Sequence, residues 1–367
     1  MSRILGIGLA AVLAVGVLAA ILISYTQSHS APPQKLVAVR GVIGSEKLPF
    51  FQDPAVIQEF HSRGYDVQVD TAGSRQIATT VDLSKYDFAF PAGSPAALKI
   101  QQDHHAKATY VPFYTPMAIA SFTTIGDLLK TAGVVNVSGG VYTLDVKAFM
   151  ALVAQKKRWT DIAGNTTYGS SNSILITSTD PTKSNSAGMY VAIASYVANS
   201  NNVVENPTQA QAVLPSVAPL FLRQGFTESS TEAPFDDYLS IGIGKTPMVM
   251  IYEAQFLARQ AAKDGSITSS RILMYPNPTV FSKHTLVPLS SNGDAVGRLL
   301  VSDAKLQSLA VKYGFRTSDS NAFTKYLTDR GVSPPPQLVN VIEPPAYDNL
   351  EAIINGISAL QTQIKGG

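Results

Sequence analysis

The sequence predicts an α/β protein of two Rossmann-like lobes, the second inserted into the first, with a hinge of crossing strands between them. Three observations carry this. Short apolar runs end repeatedly in a Gly/Ser turn that leads into a helical pattern, as in βα units. Two longer extended stretches, residues 109–122 and 279–288, flank a second set of such units. One loop, between Ile176 and Met189, gathers hydroxyl and amide side chains at the start of a helix.

The elements follow in order. Residues 35–42 (KLVAVRGV) form a near-continuous apolar strand of the kind buried in a parallel sheet. Gly44, Ser45, Glu46 and Lys47 follow, then a helix over about 54–63. A second strand, DVQVD at 66–70, ends in Gly73-Ser74-Arg75, and a third, YDFAF at 86–90, ends in Gly93-Ser94 before a helix over 95–102. Ligands of open α/β sheets sit outside the carboxyl ends of the strands. Ser45, Ser74 and Ser94 share that edge, either as helix caps or as ligand donors. The aromatic stretch 109–122, broken by Pro112 and Pro116, reads as a crossing strand. Helices are expected at 125–131, 143–156 and about 209–223. PMVMIY at 247–252 is a buried strand that runs into Glu253 and a helix. Residues 271–275 and 279–288 are extended and cross back, and the remainder is helical to about residue 363.

The stretch ILITSTDPTKSNSAGMYVAIASYVAN at 174–199 organises the second lobe. Ile174-Leu175-Ile176 reads as a buried strand. Met189, Ala192, Ile193, Tyr196 and Val197 then recur on one helical face. The polar loop between them delivers Ser184, Asn185 and Ser186 to the helix N-terminus. Free backbone N–H groups and the positive end of the dipole meet there, which suits an anion or an oxygen-rich group. Helix capping by one of these side chains is the plainer alternative.

The 367 residues are 45% hydrophobic and 15% charged, with a net charge of +2 and no cysteine. That balance gives no argument for nucleic acid. The missing cysteine excludes disulfides, thiolate metal sites and a Cys nucleophile. Ile4 to Ile23 is an uncharged apolar run of 20 residues behind Arg3, long enough to span a membrane with the rest of the chain outside. Residues 1–34 are accordingly a membrane anchor or signal peptide with a linker. The first lobe comprises 35–121 with 282–367, and the second 122–281.

Four segments in this order resemble the bacterial extracellular solute-binding proteins of the type II periplasmic-binding fold, in particular the molybdate- and sulfate-type group. They are VAVRGVIGSEK with TAGSRQ, the loop TSTDPTKSNSAGMY, the strand PMVMIYEAQFL, and MYPNPTVFSKHTLVPL with the later Gly314-Phe315-Arg316. The resemblance covers nearly everything after the linker. It implies capture of a small polar or anionic solute in an interlobe cleft. Delivery to an ABC-type transporter permease would follow; the alternative is a membrane-anchored sensor or cell-envelope assembly module. By position, the family's binding loops fall on Ser45 and Glu46, Ser74 and Arg75, Ser94, Ser184 to Ser186, and Tyr252 and Glu253. Arg75 suits a carboxylate or oxyanion, whereas Glu46 and Glu253 suit ligand donors or positive charge. The resemblance implies an extracytoplasmic monomer, with no cofactor, metal or catalytic residue.

Other chemistry is poorly supported. Gly244-Lys245-Thr246 lacks the earlier glycine of a P-loop, since Leu239 stands there. Ser302 and Lys305 have SxxK spacing, but they lie where a helix cap is expected. His104 and His105, adjacent on a helix, point apart, and Asp236-Asp237 reads as a solvated turn.

Overall fold

The structure, a computed structural model, describes residues 35–224 and 228–366. β1 (Val37–Ile43), β2 (Tyr65–Thr71) and β3 (Phe88–Phe90) pair in parallel with β1 in the middle. The helices α1 (Pro54–Ser62), α2 (Ser74–Thr79) and α3 (Ser94–Asp103) follow them in turn. β4 (Tyr110–Phe122) then leaves this group. α4 (Thr123–Thr131), a hairpin of β5 (Val135–Ser138) and β6 (Val141–Asp145), α5 (Val146–Ala154), α6 (Asn185–Ala198), α7 (Pro207–Val217) and α8 (Glu232–Ser240) come next. β7 (Met248–Tyr252), α9 (Glu253–Ala262) and β8 (Arg271–Asn277) complete the second group. β9 (Thr279–Pro288) returns, followed by α10 (Ser291–Ser302), α11 (Ala304–Lys312), α12 (Ser320–Asp329), the short β10 (Val341–Ile342) and α13 (Tyr347–Gly366).

The sheet order is β2-β1-β3-β9-β4-β8-β6-β5, with β7 also on β4 and β10 on β9. β4 and β9 are the crossing strands. The first part of β4 pairs antiparallel with β9, Phe113 opposite His284. Its second part pairs with β7 and β8, Ile119 opposite both Met250 and Met274. β9 ends beside β3, Val287 opposite Ala89. The register shifts between Tyr110 and Phe113, where Pro112 has no N–H to offer the ladder. Each half of the sheet has its own core. One is aromatic, with Phe50, Phe60, Phe88, Phe90, Phe113 and Phe315 buried. The other gathers Trp159, Tyr190, Ile193 and Tyr238 around α6 and β7.

Several elements differ from the sequence reading. The helix expected over 143–156 starts only at Val146. Residues 135–145 instead form a hairpin about Gly139 and Gly140, both at positive φ as a tight primed turn requires. Ile174 and Ile176 are buried, yet among the described residues the run joins no ladder beyond the single bridges that flank it, Ser173 to Arg158 and Thr177 to Val249. Asp236 and Asp237 lie within α8, and Ser302 ends α10 while Asp303 caps α11 through the amides of Lys305 and Leu306. α13, read from sequence with 282–367, buries Leu350, Ile353, Ile354 and Ile357 in the second core, against α7 and α6. Among the described residues no helix is long and apolar enough to cross a membrane. The anchor expected at 4–23 lies outside the described residues.

The Gly314-Phe315-Arg316 segment has a definite mechanical role. Gly314, at φ +77°, ends α11 in a Schellman turn, with Phe315 N–H donating to Ala310 O and Gly314 N–H to Val311 O. The chain then pairs with Tyr114 on β4, and the Phe315 ring lies 4.4 Å from that of Phe113. A Cβ on Gly314 would fall 2.3 Å from Ala254 O, whereas one on Gly133, also left-handed, would meet nothing within 4 Å. Gly133→Ala is therefore expected to cost about 1–2 kcal/mol from backbone conformation alone. Gly314→Ala should cost measurably more in urea unfolding, and equal losses would refute the contact argument.

Candidate functional site

The parallel order of β1, β2 and β3 brings their carboxyl ends together, and each ends in Gly-Ser. The glycines take the N-cap positions, so Ser45, Ser74 and Ser94 are first helical residues rather than caps. Gly73 and Gly93 are extended, so φ does not demand glycine; proximity does. A Cβ on Gly73 would stand 2.2 Å from Lys183 O, and one on Gly93 2.1 Å from Asn185 Oδ1. The bare backbone lets the loop before α6 approach the strand ends. Ser74 Oγ accepts from Ala92 N–H at 2.9 Å and ties the second turn to the third.

Facing these turns is the start of α6. Ser184 occupies its N-cap but makes no capping bond. Its hydroxyl instead meets Ser186 Oγ at 2.9 Å, which in turn meets Thr179 Oγ1 at 2.9 Å. The first amides of α6 thus keep no side-chain partner from the cap. Asn185 Nδ2 donates to Tyr252 OH at 3.0 Å and Ser282 Oγ at 3.3 Å. Ser45 Oγ crosses to the loop before α8, 3.3 Å from both Ser230 Oγ and Glu232 Oε2. Between the two halves lies a cavity of about 260 Å³ lined by Ser45, Glu46, Thr71, Ser74, Gln76, Ser184, Asn185, Ser229, Ser230, Thr231 and Tyr252 among others. Its wall is chiefly hydroxyl and amide groups with one carboxylate, and among the described residues no lysine or arginine is part of it.

Known structures share this arrangement of strands. The sulfate-binding protein SubI from Mycobacterium tuberculosis superposes with a TM-score of 0.53 and 16% identity, over 89% of this chain and 99% of that one. A periplasmic thiamin-binding protein gives 0.52 at 10% identity, over 88% and 96%. Iron-bound HitA from Pseudomonas aeruginosa gives 0.52 at 11%, over 89% and 99%. The fold is that of the type II periplasmic solute-binding proteins. No protein-family model and no curated protein matches the sequence.

Within this periplasmic-binding fold, a buried charged group backs the cavity. Lys47 is fully buried over the Phe90 ring; its Nζ pairs with Glu46 and donates to His284 Nδ1 at 3.1 Å. His284 is also fully buried, packed on Phe113, Tyr252 and Phe315, and its Nε2 has no partner among the described residues. Burial alone would raise the Glu46 carboxyl, but the Lys47 charge and His284 outweigh it and hold Glu46 well below the usual range. Burial, and then the Lys47 charge, pushes His284 down to about 4, against a smaller opposing effect of Glu46. Burial raises Glu232; the Ser230 hydroxyl opposes this and the Glu46 charge reinforces it. Burial, aided by Glu46, keeps the Tyr252 phenol protonated. Glu46 therefore faces the cavity already matched by a cation, and the groups left to a ligand are mainly neutral donors.

Ser45, Glu46, Ser74, Ser184, Asn185 and Tyr252 meet at this cavity; the other residues singled out in the sequence lie elsewhere. Arg75 turns outward to Glu351 on α13, at 2.6 and 2.8 Å, and to Thr182 O at 2.9 Å. Both acceptors belong to the second half, and they hold its fork away from the cavity. Ser186 is buried behind Ser184, and Ser94, at the start of α3, is not part of the wall. Glu253 is buried in a bidentate pair with Arg316, both bonds 2.8 Å, and accepts from Tyr275 OH at 2.7 Å. The arginine of Gly314-Phe315-Arg316 thus satisfies it. Lys47, His284, Ser230 and Glu232 belong to the site and were passed over in sequence. A signal existed for His284. The alternation of β9 puts Ser282 and His284 inside and Phe281 and Lys283 partly outside, the reverse of an ordinary strand.

Free histidine titrates near 6.5. Between that value and about 4 the unfolded chain binds a proton that folded His284 refuses. Its contribution is complete above pH 6.5 and is lost as pH falls. Unfolding free energy should therefore drop by about 2 kcal/mol between pH 7.5 and pH 5. In His284→Gln most of that slope should vanish; an unchanged slope in urea unfolding would show that His284 is not the source.

Proposed function

We propose that this chain is an extracytoplasmic solute-binding protein that captures a small polar or anionic solute between two lobes and hands it to an ABC-type transporter. The carrying observation is the cavity of about 260 Å³, built from hydroxyl and amide groups of both halves of the chain at the ends of β1, β2 and α6. The fold shared with proteins named for sulfate, thiamin and iron supports the same reading. The lobes of this proposal are 35–121 with 282–342, and 122–281 joined by α13. β4 and β9 form the hinge. In this reading residues 4–23 export the chain or anchor it at the membrane, on sequence grounds alone.

The proposed mechanism is lobe closure. In the open form the Gly73 and Gly93 turns part from the loop at 179–185. On closing, Ser45 meets Ser230 and Glu232, Arg75 reaches Thr182 O, and the solute replaces water on the α6 amides and the hydroxyls. Water-exposed donors gain little from one bond each, so affinity comes from many neutral bonds made at once in a closed cavity.

A thermal-shift screen of the purified full-length protein against oxyanions, amino acids, sugars and small carboxylates tests this. A ligand at a hundred times its Kd stabilises the folded state by about 2.7 kcal/mol. For the solute so identified, Ser184→Ala is expected to weaken binding by about 1 kcal/mol, or roughly fivefold. A flat screen on folded protein would overturn solute capture in favour of a sensor or envelope-assembly role.

A further inference from the structure

A second cavity of about 590 Å³ adjoins the first, and Glu46 and Tyr252 belong to the walls of both. Hydrogen bonds cross between the halves at this neck from Ser45 to Ser230 and Glu232, and from Asn185, also bonded to Tyr252, to Ser282. The second cavity also lies between the halves: Tyr313, Phe315 and Tyr326 come from one, Phe235 and the α9 face of Ala254 and Ala258 from the other.

Its chemistry differs from that of the first. The lining is chiefly aromatic rings and alanine methyls. Most charges in its lining are paired, Glu46 with Lys47, Arg259 with Asp264 at 3.3 Å and Asp236 at 4.0 Å, and Lys312 with Asp53 at 2.6 Å. Glu232 and Arg330, which have no ion-pair partner among the described residues, are of opposite sign, so the cavity offers apolar area with its charges largely balanced. Size points the same way. Sites for organic ligands hold roughly 300–1,000 Å³. The hydroxyl-lined cavity alone falls below that range, and the two together fall within it.

We propose that the solute is organic and bipartite, with an anionic head in the hydroxyl-lined cavity and an apolar ring or short chain beyond Glu46 and Tyr252 in the second. This rests on the solute-binding reading above and sets aside a bare inorganic oxyanion as the solute. The body of the molecule then lies between Tyr313, Phe315 and α9, whose Leu257 and Ala261 pack on α11 and α12, and its burial supplies affinity the neutral donors lack.

Titration calorimetry on the full-length protein with matched pairs tests it: inorganic phosphate and phenyl phosphate, sulfate and phenyl sulfate, acetate and phenylacetate. In at least one pair the phenyl compound is expected to bind tenfold or more tightly than its head alone. Ala258→Phe, which fills the second cavity from a partly exposed helix position, should reduce that ratio below about threefold and leave the Kd of the small anion unchanged. Ala262→Phe on the same exposed side serves if Ala258→Phe melts early. Equal affinities within every pair, or a ratio that survives the filling substitution, would overturn the bipartite solute while leaving solute capture intact. Failure of every compound to bind folded protein would remove both readings.

Discussion

Two strands carry the architecture because each has to serve two sheets. β4 is paired with β9 over its first part and with β7 and β8 over its second. β9 touches β10, β4 and β3 in succession. Neither half has a complete sheet without them, and neither strand satisfies its backbone within one half. The space between the halves follows from this. It opens where the parallel strands end, away from the crossing backbone that both sides hydrogen-bond.

The site solves an electrostatic problem by layering. A carboxylate facing a polar cavity would repel an anion, yet Glu46 is joined from behind by Lys47 and His284, both wholly buried. The aromatic core encloses that arrangement, so its cost of desolvation falls on residues that are not part of the cavity wall. In front, hydroxyl and amide groups line the cavity without bringing net charge. The Glu253–Arg316 pair is a separate matter: it fixes the end of α11 against β7, and Tyr275 satisfies the remaining acceptor.

Much of this was legible in the sequence. The βα periodicity, the repeated Gly-Ser turns and the two extended stretches announced the sheet edges and the crossing strands. Glycine's purpose at positions 73 and 93 was not legible, because the atoms it makes room for come from residues 183 and 185. Arg75 read as an anion fork, since nothing in its neighbourhood hints at Glu351, 276 residues away. Glu253 read as a ligand acceptor for the same reason. Gly139-Gly140 is itself a turn signal, but the helical pattern from Thr143 argues for a helix there instead of a hairpin. Lys47 is a different case: a lysine in a turn is ordinarily solvated, and only packing by Phe90 from another strand makes it a buried cation.

The position of β9 between β3 and β4 has a consequence for how the chain comes to be folded. β3 ends at Phe90, and the strand it lies beside begins at Thr279. The sheet of the first half therefore stays incomplete until the whole of the second half has been made. The second half waits longer, for α13 at the end of the chain to close its core. Contacts of such long range make for slow folding, with edges exposed in the interval. Although the cleft divides the molecule spatially, the two sides are bound together in time: the first cannot finish before residues 122–281 have been made, nor the second before α13 has.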